Sequence, residues 1–293
     1  MKILSCLIVL FLSFSLSAQQ NKIVAENAEM KKAGTSYTFT EGPAVAPDGK
    51  VYFTDQPNDR IYVWEENKGV SLWLEGTRRS NGMYFNDQGQ LVVCADLHNQ
   101  LGYFDQNKNF QLIHEGYDGK LLNAPNDLWI APEGGIYFSD PYYHRSWWDE
   151  GRGEEQDIRG VYYLSSEGDI TRVIDDYKQP NGLIGTPDGE TLYVADISDE
   201  KIWRYEIQPN GTLENKTLFA PKGSDGMTID NHGNVYLTSR KVWVYNPDGK
   251  LIKEIEVPES PSNVVFGGED RDVLFITART SVYTLKMNVK GVD

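Results

Sequence analysis

The chain has 293 residues, of which 40% are hydrophobic and 12% aromatic, enough to bury a large core. Its 28 Lys and Arg against 43 Asp and Glu residues give a formal net charge of −15 at pH 7. Charge of this sign repels nucleic acid phosphates and anionic membrane surfaces, so neither is expected as a partner.

The N-terminal segment has the pattern of an export signal. MKILSCLIVLFLSFSLSAQQ combines a Lys, a short apolar run and a small-residue exit. It predicts a signal peptide over residues 1–18 and a single mature domain over residues 19–293, exported to the periplasm or secreted. We expect no membrane contact after cleavage; an uncleaved anchor is the alternative. Cys94 is then the only cysteine, so no internal disulfide can form.

The rest of the chain repeats one pattern six times: a polar residue, an apolar strand, a turn and a second strand. The units are EGPAVAPDGKVYFTD, NGMYFNDQGQLVVCAD, NDLWIAPEGGIYFSD, NGLIGTPDGETLYVAD, DGMTIDNHGNVYLTSR and SNVVFGGEDRDVLFITA. They begin 37 to 55 residues apart, the length of a propeller blade, and two further strands follow within a unit, such as GVYYLS and DITRVI. The sequence therefore predicts an all-β, six-bladed β-propeller with four antiparallel strands per blade.

The two ends of the repeat are incomplete. The sixth unit stops after SVYTLKM, its third strand, whereas EMKKAGTSYTFT near the N terminus has strand character but no blade of its own. An unpaired sheet edge would be left if both stayed separate. We predict that the N-terminal segment supplies the missing outer strand and closes the ring.

The polar residues that begin the units, called head residues here, should share one face of the propeller. In an antiparallel blade the start of the first strand and the end of the second lie on the same face, and the innermost strand borders the central channel. The head residues are Glu41, Asn81, Asn126, Asn181, Asp225 and Ser262. No Lys or Arg is among them, so the two carboxylates require either a proton or a cation between them.

Carboxylate and amide oxygens suit a hard ion. We therefore predict one divalent cation, with Ca²⁺ preferred over Mg²⁺ or Mn²⁺; Zn²⁺ is possible but would more often have His or Cys ligands. Turn formation is the alternative for Asn81, Asn181 and Asp225, since Asn-Gly and Asp-Gly also form tight turns. That alternative does not explain Glu41.

Further candidates lie on the same predicted face. The second strands of four units end in Asp55, Asp96, Asp140 and Asp196. Capping of loops by these aspartates is the simplest interpretation, and Asp196 is also a candidate acid for the site. The long third-blade segment 141–160 carries aromatic and basic side chains that suit a cover over a sugar-like or aromatic ligand: Tyr142, Tyr143, His144, Arg145, Trp147 and Trp148. A self-packed surface loop is the alternative.

Four of these stretches resemble the gluconolactonase and senescence marker protein family of six-bladed propellers, a relative of the calcium-dependent paraoxonases and diisopropylfluorophosphatases. They are FTEGPAVAPDGKVYFTD, NAPNDLWIAPEGGIYFSDP, PNGLIGTPDGETLYVAD and SDGMTIDNHGNVYLTS, and the resemblance covers about residues 25–290. It implies a channel metal held by Glu41, Asn126, Asn181 and Asp225, with Asn81 lining the pocket.

The resemblance also implies hydrolysis of a small-molecule sugar lactone. Asp225 is the expected general base and Asp196 the second candidate, while Tyr142, His144 and Arg145 are expected to contact lactone hydroxyls. Ala124 stands where eukaryotic members have a substrate-binding Arg, so their sugar preference does not carry over.

Two other functions remain open at this point. One is a non-catalytic, metal-stabilised propeller that binds a glycan or a protein, and the other is a phosphotriesterase-like hydrolase with the same ion.

Overall fold

The computed structural model describes residues 23–292, so the predicted signal peptide lies outside the described residues. Strands dominate this range, with 3₁₀ turns at Gln56–Asn58 and Asp96–His98. No helix in this range is long and apolar enough to cross a membrane.

Six four-stranded antiparallel sheets form the blades, which confirms the fold predicted from the repeat. The N-terminal strand is β1 (Lys31–Thr35). Blade one contains β2 (Thr40–Val45), β3 (Val51–Asp55), β4 (Arg60–Glu65) and β5 (Gly69–Glu75). Blade two contains β6 (Ser80–Phe85), β7 (Leu91–Ala95), β8 (Gln100–Phe104) and β9 (Phe110–His114), followed by the hairpin of β10 (Gly116–Tyr117) and β11 (Lys120–Leu121).

The second half of the ring repeats this order. Blade three contains β12 (Leu128–Ile130), β13 (Ile136–Asp140), β14 (Gly160–Leu164) and β15 (Ile170–Ile174). Blade four contains β16 (Pro180–Gly185), β17 (Thr191–Asp196), β18 (Lys201–Ile207) and β19 (Leu213–Ala220). Blade five contains β20 (Met227–Ile229), β21 (Val235–Thr238), β22 (Val242–Tyr245) and β23 (Leu251–Ile255). Blade six contains β24 (Asn263–Gly267), β25 (Val273–Ala278) and β26 (Ser281–Lys286).

The ring closes through the N-terminal strand, as predicted. Sheet six has the order β1-β26-β25-β24, and β1 runs antiparallel to β26 with Lys31 opposite Thr284 and Thr35 opposite Ser281. The innermost strands contact one another in the order β2, β6, β12, β16, β20, β24 and back to β2. Each blade therefore presents its first strand to the central channel.

Burial follows the distance from the channel. The inner strands β2, β16 and β24 are buried along their whole length, whereas most of β19 at an outer edge is exposed. Large rings such as Phe53, Tyr137 and Phe275 fill the layers between blades. This packing holds the starts of the inner strands in place. Cys94, the one cysteine within residues 23–292, is a buried free thiol.

Candidate active site

Three head residues meet at one end of the central channel. Asn181 Nδ2 donates to Asp225 Oδ1 at 2.9 Å, and Glu41 is hydrogen-bonded to Asp225 as well. Glu41 and Asn181 are buried, and Asp225 is partly exposed. Blades one, four and five thus contribute side chains to one polar cluster.

Asn81 and Asn126 occupy the same position on blades two and three. Both are buried, and each neighbours the preceding blade through its backbone: Gly82 N donates to Asn126 O at 2.7 Å, and a Cβ on Gly42 would lie 1.9 Å from Asn81 O. The head residues therefore follow one another around the channel.

The glycines after the head residues explain the Asn-Gly and Asp-Gly dipeptides. A Cβ on Gly182 would lie 2.6 Å from Asp225 O, and a Cβ on Gly226 would lie 1.9 Å from Asn263 Cγ. Gly82, Gly182 and Gly226 do not have the positive φ of a primed turn. The turn alternative is wrong for these dipeptides, because glycine here makes room for the neighbouring blade.

The two carboxylates strongly perturb each other. Burial and the charge of Asp225 raise the pKa of Glu41 well above its ordinary value, and burial raises the pKa of Asp225 to about 6. No head residue is basic, but the charges of Arg145 and Arg279, which lie on loops, act to lower the pKa of Asp225. Without a cation, the pair is expected to hold a proton.

The head residue of blade six binds the neighbouring blade. The hydroxyl of Ser262 donates to Thr40 O at 2.6 Å, so it fastens blade six to blade one. The next residue, Asn263, hydrogen-bonds to Glu41 instead. Asp127, which follows Asn126, also lies beside Glu41, and desolvation raises its pKa to about 7.

Sequence reasoning missed Asn263 and Asp127, although a signal was present. The residue after the head residue is Gly in four units but Asp in the third and Asn in the sixth. A polar side chain at a position where the other blades need glycine indicates a role at the channel.

The third-blade loop contacts the cluster through Tyr143. Asn181 Nδ2 donates to Tyr143 Oη at 2.8 Å. Arg145 Nε forms an ion pair with Asp96 Oδ2 at 3.0 Å, and Trp148 Nε1 donates to Asp96 O at 3.3 Å. The loop is therefore docked on blade two, rather than packed only on itself.

Two other loop residues named from the sequence, Tyr142 and His144, have different surroundings. The ring of Tyr142 lies 5.9 Å from the ring of Trp148, and the Tyr142 carbonyl accepts a hydrogen bond from Gln179 Nε2 at 2.8 Å. His144 is exposed. A role for Tyr142 and His144 in substrate binding stays a prediction, and Tyr143 joins the candidates.

Three of the four aspartates at the second-strand ends cap backbone N–H groups. Asp55 accepts from Phe39 N at 3.0 Å, Asp140 from Ala124 N at 2.8 Å, and Asp196 from Lys178 N at 2.9 Å and Gln179 N at 3.0 Å. Asp96 instead binds side chains, those of Gln56 and Arg145. Both oxygens of Asp196 are occupied by N–H groups, which favours capping over catalysis there.

The donor set fits a hard cation. Asn181 Oδ1 is buried and has no hydrogen-bond partner within residues 23–292, although Nδ2 of the same amide has two. In that range no group of three or more His, Cys, Asp or Glu side chains is arranged to hold a metal, so an ion here depends on amide oxygens beside Glu41 and Asp225. Two carboxylates with amides are ligands that Ca²⁺ accepts.

Two cavities adjoin this cluster. The smaller, about 200 Å³, is lined by Asp225, Ser239 and Arg279 among others. The larger, about 860 Å³, opens among the turns of the opposite face and reaches Asp127 and Asn263 at its inner end. We place the candidate site at the smaller cavity because Asp225, which is hydrogen-bonded to Asn181 and Glu41, lines it.

The fold and the site together define the class of this protein: a six-bladed propeller with carboxylate and amide side chains at one end of its central channel. The family model described as "SMP-30/Gluconolactonase/LRE-like region" matches residues 39–280. The chain belongs to this family.

Its similar proteins include several lactonases. A gluconolactonase of Zymomonas mobilis is 28% identical over 94% of this chain and 86% of its own length. A 6-deoxy-6-sulfogluconolactonase of Pseudomonas putida is 31% identical over 78% of each chain. The solved structure of XC5397 from Xanthomonas campestris, described as a gluconolactonase, superposes with a TM-score of 0.85 at 28% identity over 92% of each chain.

Proposed function

We propose that this protein hydrolyses sugar lactones with the help of one divalent cation, Ca²⁺ being the preferred ion. The gluconolactonase relatives, which match nearly the whole chain, support the lactone as the substrate class. The observation that supports a bound metal is Asn181 Oδ1, a buried oxygen without a hydrogen-bond partner, on an amide that donates to Asp225.

The residues that would hold the ion are Glu41, Asn126, Asn181 and Asp225. Bound there, a divalent cation supplies Lewis-acid polarisation of a carbonyl group. Because Nδ2 of Asn181 donates to both Asp225 and Tyr143, its Oδ1 is the end of the amide that remains to bind a ligand.

Asp225 is the candidate general base. Lactone hydrolysis adds a water oxygen to the carbonyl carbon and breaks the ring C–O bond, leaving a carboxylic acid, which releases its proton to solvent, and a hydroxyl group. Asp225 would take the proton from water and return it to the departing ring oxygen. Its partial exposure gives water access. Burial raises the pKa of Asp225 to about 6, near the range where a general base works at neutral pH, and its hydrogen bonds with Asn181 and Glu41 act to lower it. Asp196 is the weaker candidate because backbone N–H groups occupy both of its oxygens.

Tyr143 would position the substrate. Its phenol oxygen accepts a hydrogen bond from Asn181, so its own O–H remains able to donate to a lactone oxygen.

A lactone panel tests the proposal. Purified protein should open D-glucono-1,5-lactone and other aldonolactones faster than a protein-free blank, and chelator treatment should abolish the difference. Ca²⁺ should restore activity better than Mg²⁺, Mn²⁺ or Zn²⁺. Full activity in metal-stripped protein would overturn the role of the ion.

The same experiment separates the two other functions. A phosphotriesterase-like enzyme would turn over phosphotriesters faster than any lactone in the panel. A non-catalytic propeller would turn over neither, and removal of Ca²⁺ would lower its melting temperature only.

We also propose export to the periplasm or the medium. The pattern of residues 1–18 supports this, and cleavage after Ala18 would leave Gln19 as the mature N terminus. Cell fractionation with N-terminal sequencing tests it, and an intact Met1 in the cytoplasmic fraction alone would contradict it.

A further inference from the structure

The small cavity beside Asp225 contains an arginine that has no acidic partner. Arg279 follows β25 on the loop to β26, is exposed, and lies over the ring of Phe39 with its guanidinium carbon 5.5 Å from the centroid. Among residues 23–292, no carboxylate forms an ion pair with it; Arg145, the other guanidinium that acts on Asp225, is paired with Asp96 at 3.0 Å. The charge of Arg279 is therefore the uncompensated one at this cavity.

Asp225 does not supply the missing partner. Its carboxylate is engaged by Asn181 and by Glu41, and the effect of Arg279 on it is electrostatic, without a hydrogen bond. The guanidinium thus lies close to the reactive end of the site while its N–H donors remain free.

A second donor lines the same cavity. Ser239 Oγ accepts a hydrogen bond from Trp243 Nε1 at 3.2 Å, which leaves its own O–H to donate. Ser260 and Ser262 also line the cavity, but their hydroxyls donate to Ser239 O at 2.7 Å and Thr40 O at 2.6 Å. Arg279 and Ser239 are the donors left for a ligand.

A guanidinium with a neighbouring hydroxyl donor is suited to a carboxylate, which it binds through two parallel N–H···O bonds. The cavity of about 200 Å³ has room for a short carboxylate-bearing tail, with the lactone ring toward Asp225. A neutral hydroxymethyl group in that place would leave the guanidinium charge without a partner.

We propose that Arg279 and Ser239 form a subsite for an anionic substituent, and that the preferred substrates are sugar lactones that carry a free carboxylate in addition to the lactone group. This inference rests on the proposed lactone hydrolysis. It goes further in that it names the substrate class and two residues that select it.

The test compares two lactones that differ at one carbon. D-glucaro-1,4-lactone has a carboxylate at C6, and D-glucono-1,4-lactone has a hydroxymethyl group there. We expect wild-type kcat/KM to favour the glucarolactone by about tenfold or more, a preference that decreases as added salt screens the charges. Arg279→Gln should lower the ratio of the two kcat/KM values by about tenfold, mainly through KM, and Arg279→Lys should retain part of it. Ser239→Ala should lower the ratio less.

The matched control is Arg240→Gln. Arg240 follows Ser239 in the chain, but it is exposed and does not line the cavity, so its loss changes the net charge equally while the side chains of Arg279 and Ser239 stay in place. Its ratio should equal that of the wild type. An equal decrease in Arg240→Gln, or an unchanged ratio in Arg279→Gln, would overturn the subsite.

Calorimetric binding of D-glucaro-1,4-lactone separates this inference from the proposed function. If no lactone is turned over but binding is lost in Arg279→Gln, the subsite holds and lactone hydrolysis fails. If lactones are turned over but Arg279→Gln binds and hydrolyses the glucarolactone like the wild type, hydrolysis holds and the subsite fails.

Discussion

What a side chain in the candidate site can bind depends on which of its polar atoms have no hydrogen bond to a neighbouring residue. Asn181 uses Nδ2 for two hydrogen bonds and keeps Oδ1 buried without one. A buried polar atom without a partner costs about 1–3 kcal/mol. A ligand or ion that contacts Oδ1 would offset that cost, so binding and folding are coupled at this residue.

Replacing Glu41 by Gln tests one member of the proposed set of metal ligands. The change removes one of two carboxylates at constant size, so we expect Ca²⁺ affinity and lactonase kcat/KM each to fall by about 100-fold. Because burial disfavours the ionised form of Glu41, the metal-free variant should melt no lower than the metal-free wild type. Calcium calorimetry, turnover assays and thermal unfolding in chelator measure these effects.

Asp48→Asn is the control for that experiment. Asp48 lies in the turn between β2 and β3, exposed, where it accepts a hydrogen bond from Lys50 N at 3.2 Å. Its replacement should change neither calcium affinity nor turnover. Lost turnover with unchanged calcium affinity in Glu41→Gln would remove Glu41 from the ligand set.

Replacing Gly182 by Ala tests the close approach between blades four and five. An alanine Cβ there would lie 2.6 Å from Asp225 O, and backbone atoms cannot move aside as a side chain can. We expect Gly182→Ala to reduce the free energy of unfolding by about 1–3 kcal/mol and to weaken calcium binding, because Asp225 is displaced. Urea unfolding measures the first effect; in Gly153→Ala, whose Cβ would meet nothing within 4 Å, both quantities should stay unchanged.

The third-blade loop, residues 141–159, is the element that departs most from the repeat. It is held on blade two by Asp96, which receives Arg145, and by Arg152 Nη1, which donates to Leu97 O at 2.9 Å. Asp96 can serve in this way because it does not cap backbone N–H groups as its equivalents in blades one, three and four do. Tyr143 is positioned beside Asn181 by the same loop.

The docking of this loop should depend on pH. Burial raises the pKa of Asp96 to about 6 against the effects of Arg145 and Arg152, so the folded protein protonates Asp96 as the pH falls through about 6. The ion pair with Arg145 then loses its charge, and acrylamide quenching of Trp147 and Trp148 should increase between pH 7 and pH 5. Asp96→Asn should show the increased quenching at both pH values, with Trp148→Phe identifying the signal.

The contribution of Asp96 to the free energy of unfolding should have the opposite pH dependence, because it favours the folded state more at low pH. A carboxyl group whose folded pKa is raised contributes most to stability at low pH and loses that contribution as the pH rises through the folded pKa, here about 6. Loosening of the loop at low pH without loss of global stability is therefore the expected pattern. Quenching that is independent of pH in the wild type would contradict the role of Asp96.

The whole molecule depends on one pairing between its two ends. Strand β1 covers β26 from the far end of the chain, and Thr35 Oγ1 lies 3.1 Å from Ser281 Oγ across that seam. Removing β1 would expose a full sheet edge on blade six, which favours pairing with other molecules.

Deletion of residues 1–36 should therefore lower the urea midpoint well below that of a chain lacking only residues 1–22, and should cause self-association. Urea unfolding and size-exclusion chromatography of the two truncated proteins measure this. Coinciding midpoints would show that the seam adds nothing to the stability of the ring.

The repeat in the sequence was sufficient for the architecture and for most of the cluster. Alternating apolar residues and regular turns are local signals, and antiparallel connectivity then places Glu41, Asn181 and Asp225 on one face. The unpaired N-terminal strand followed from the same count of strands per blade.

Contacts between blades were decided by the folded molecule. The position after each head residue carries Asn263 and Asp127 to the channel, Tyr143 rather than Tyr142 meets Asn181, and Arg279 reaches the surroundings of Asp225 from blade six. These contacts join residues far apart in the chain and depend on side-chain direction across blade boundaries. A strand pattern with period two specifies the face of a residue, but it does not specify which side chain of a neighbouring blade it will meet.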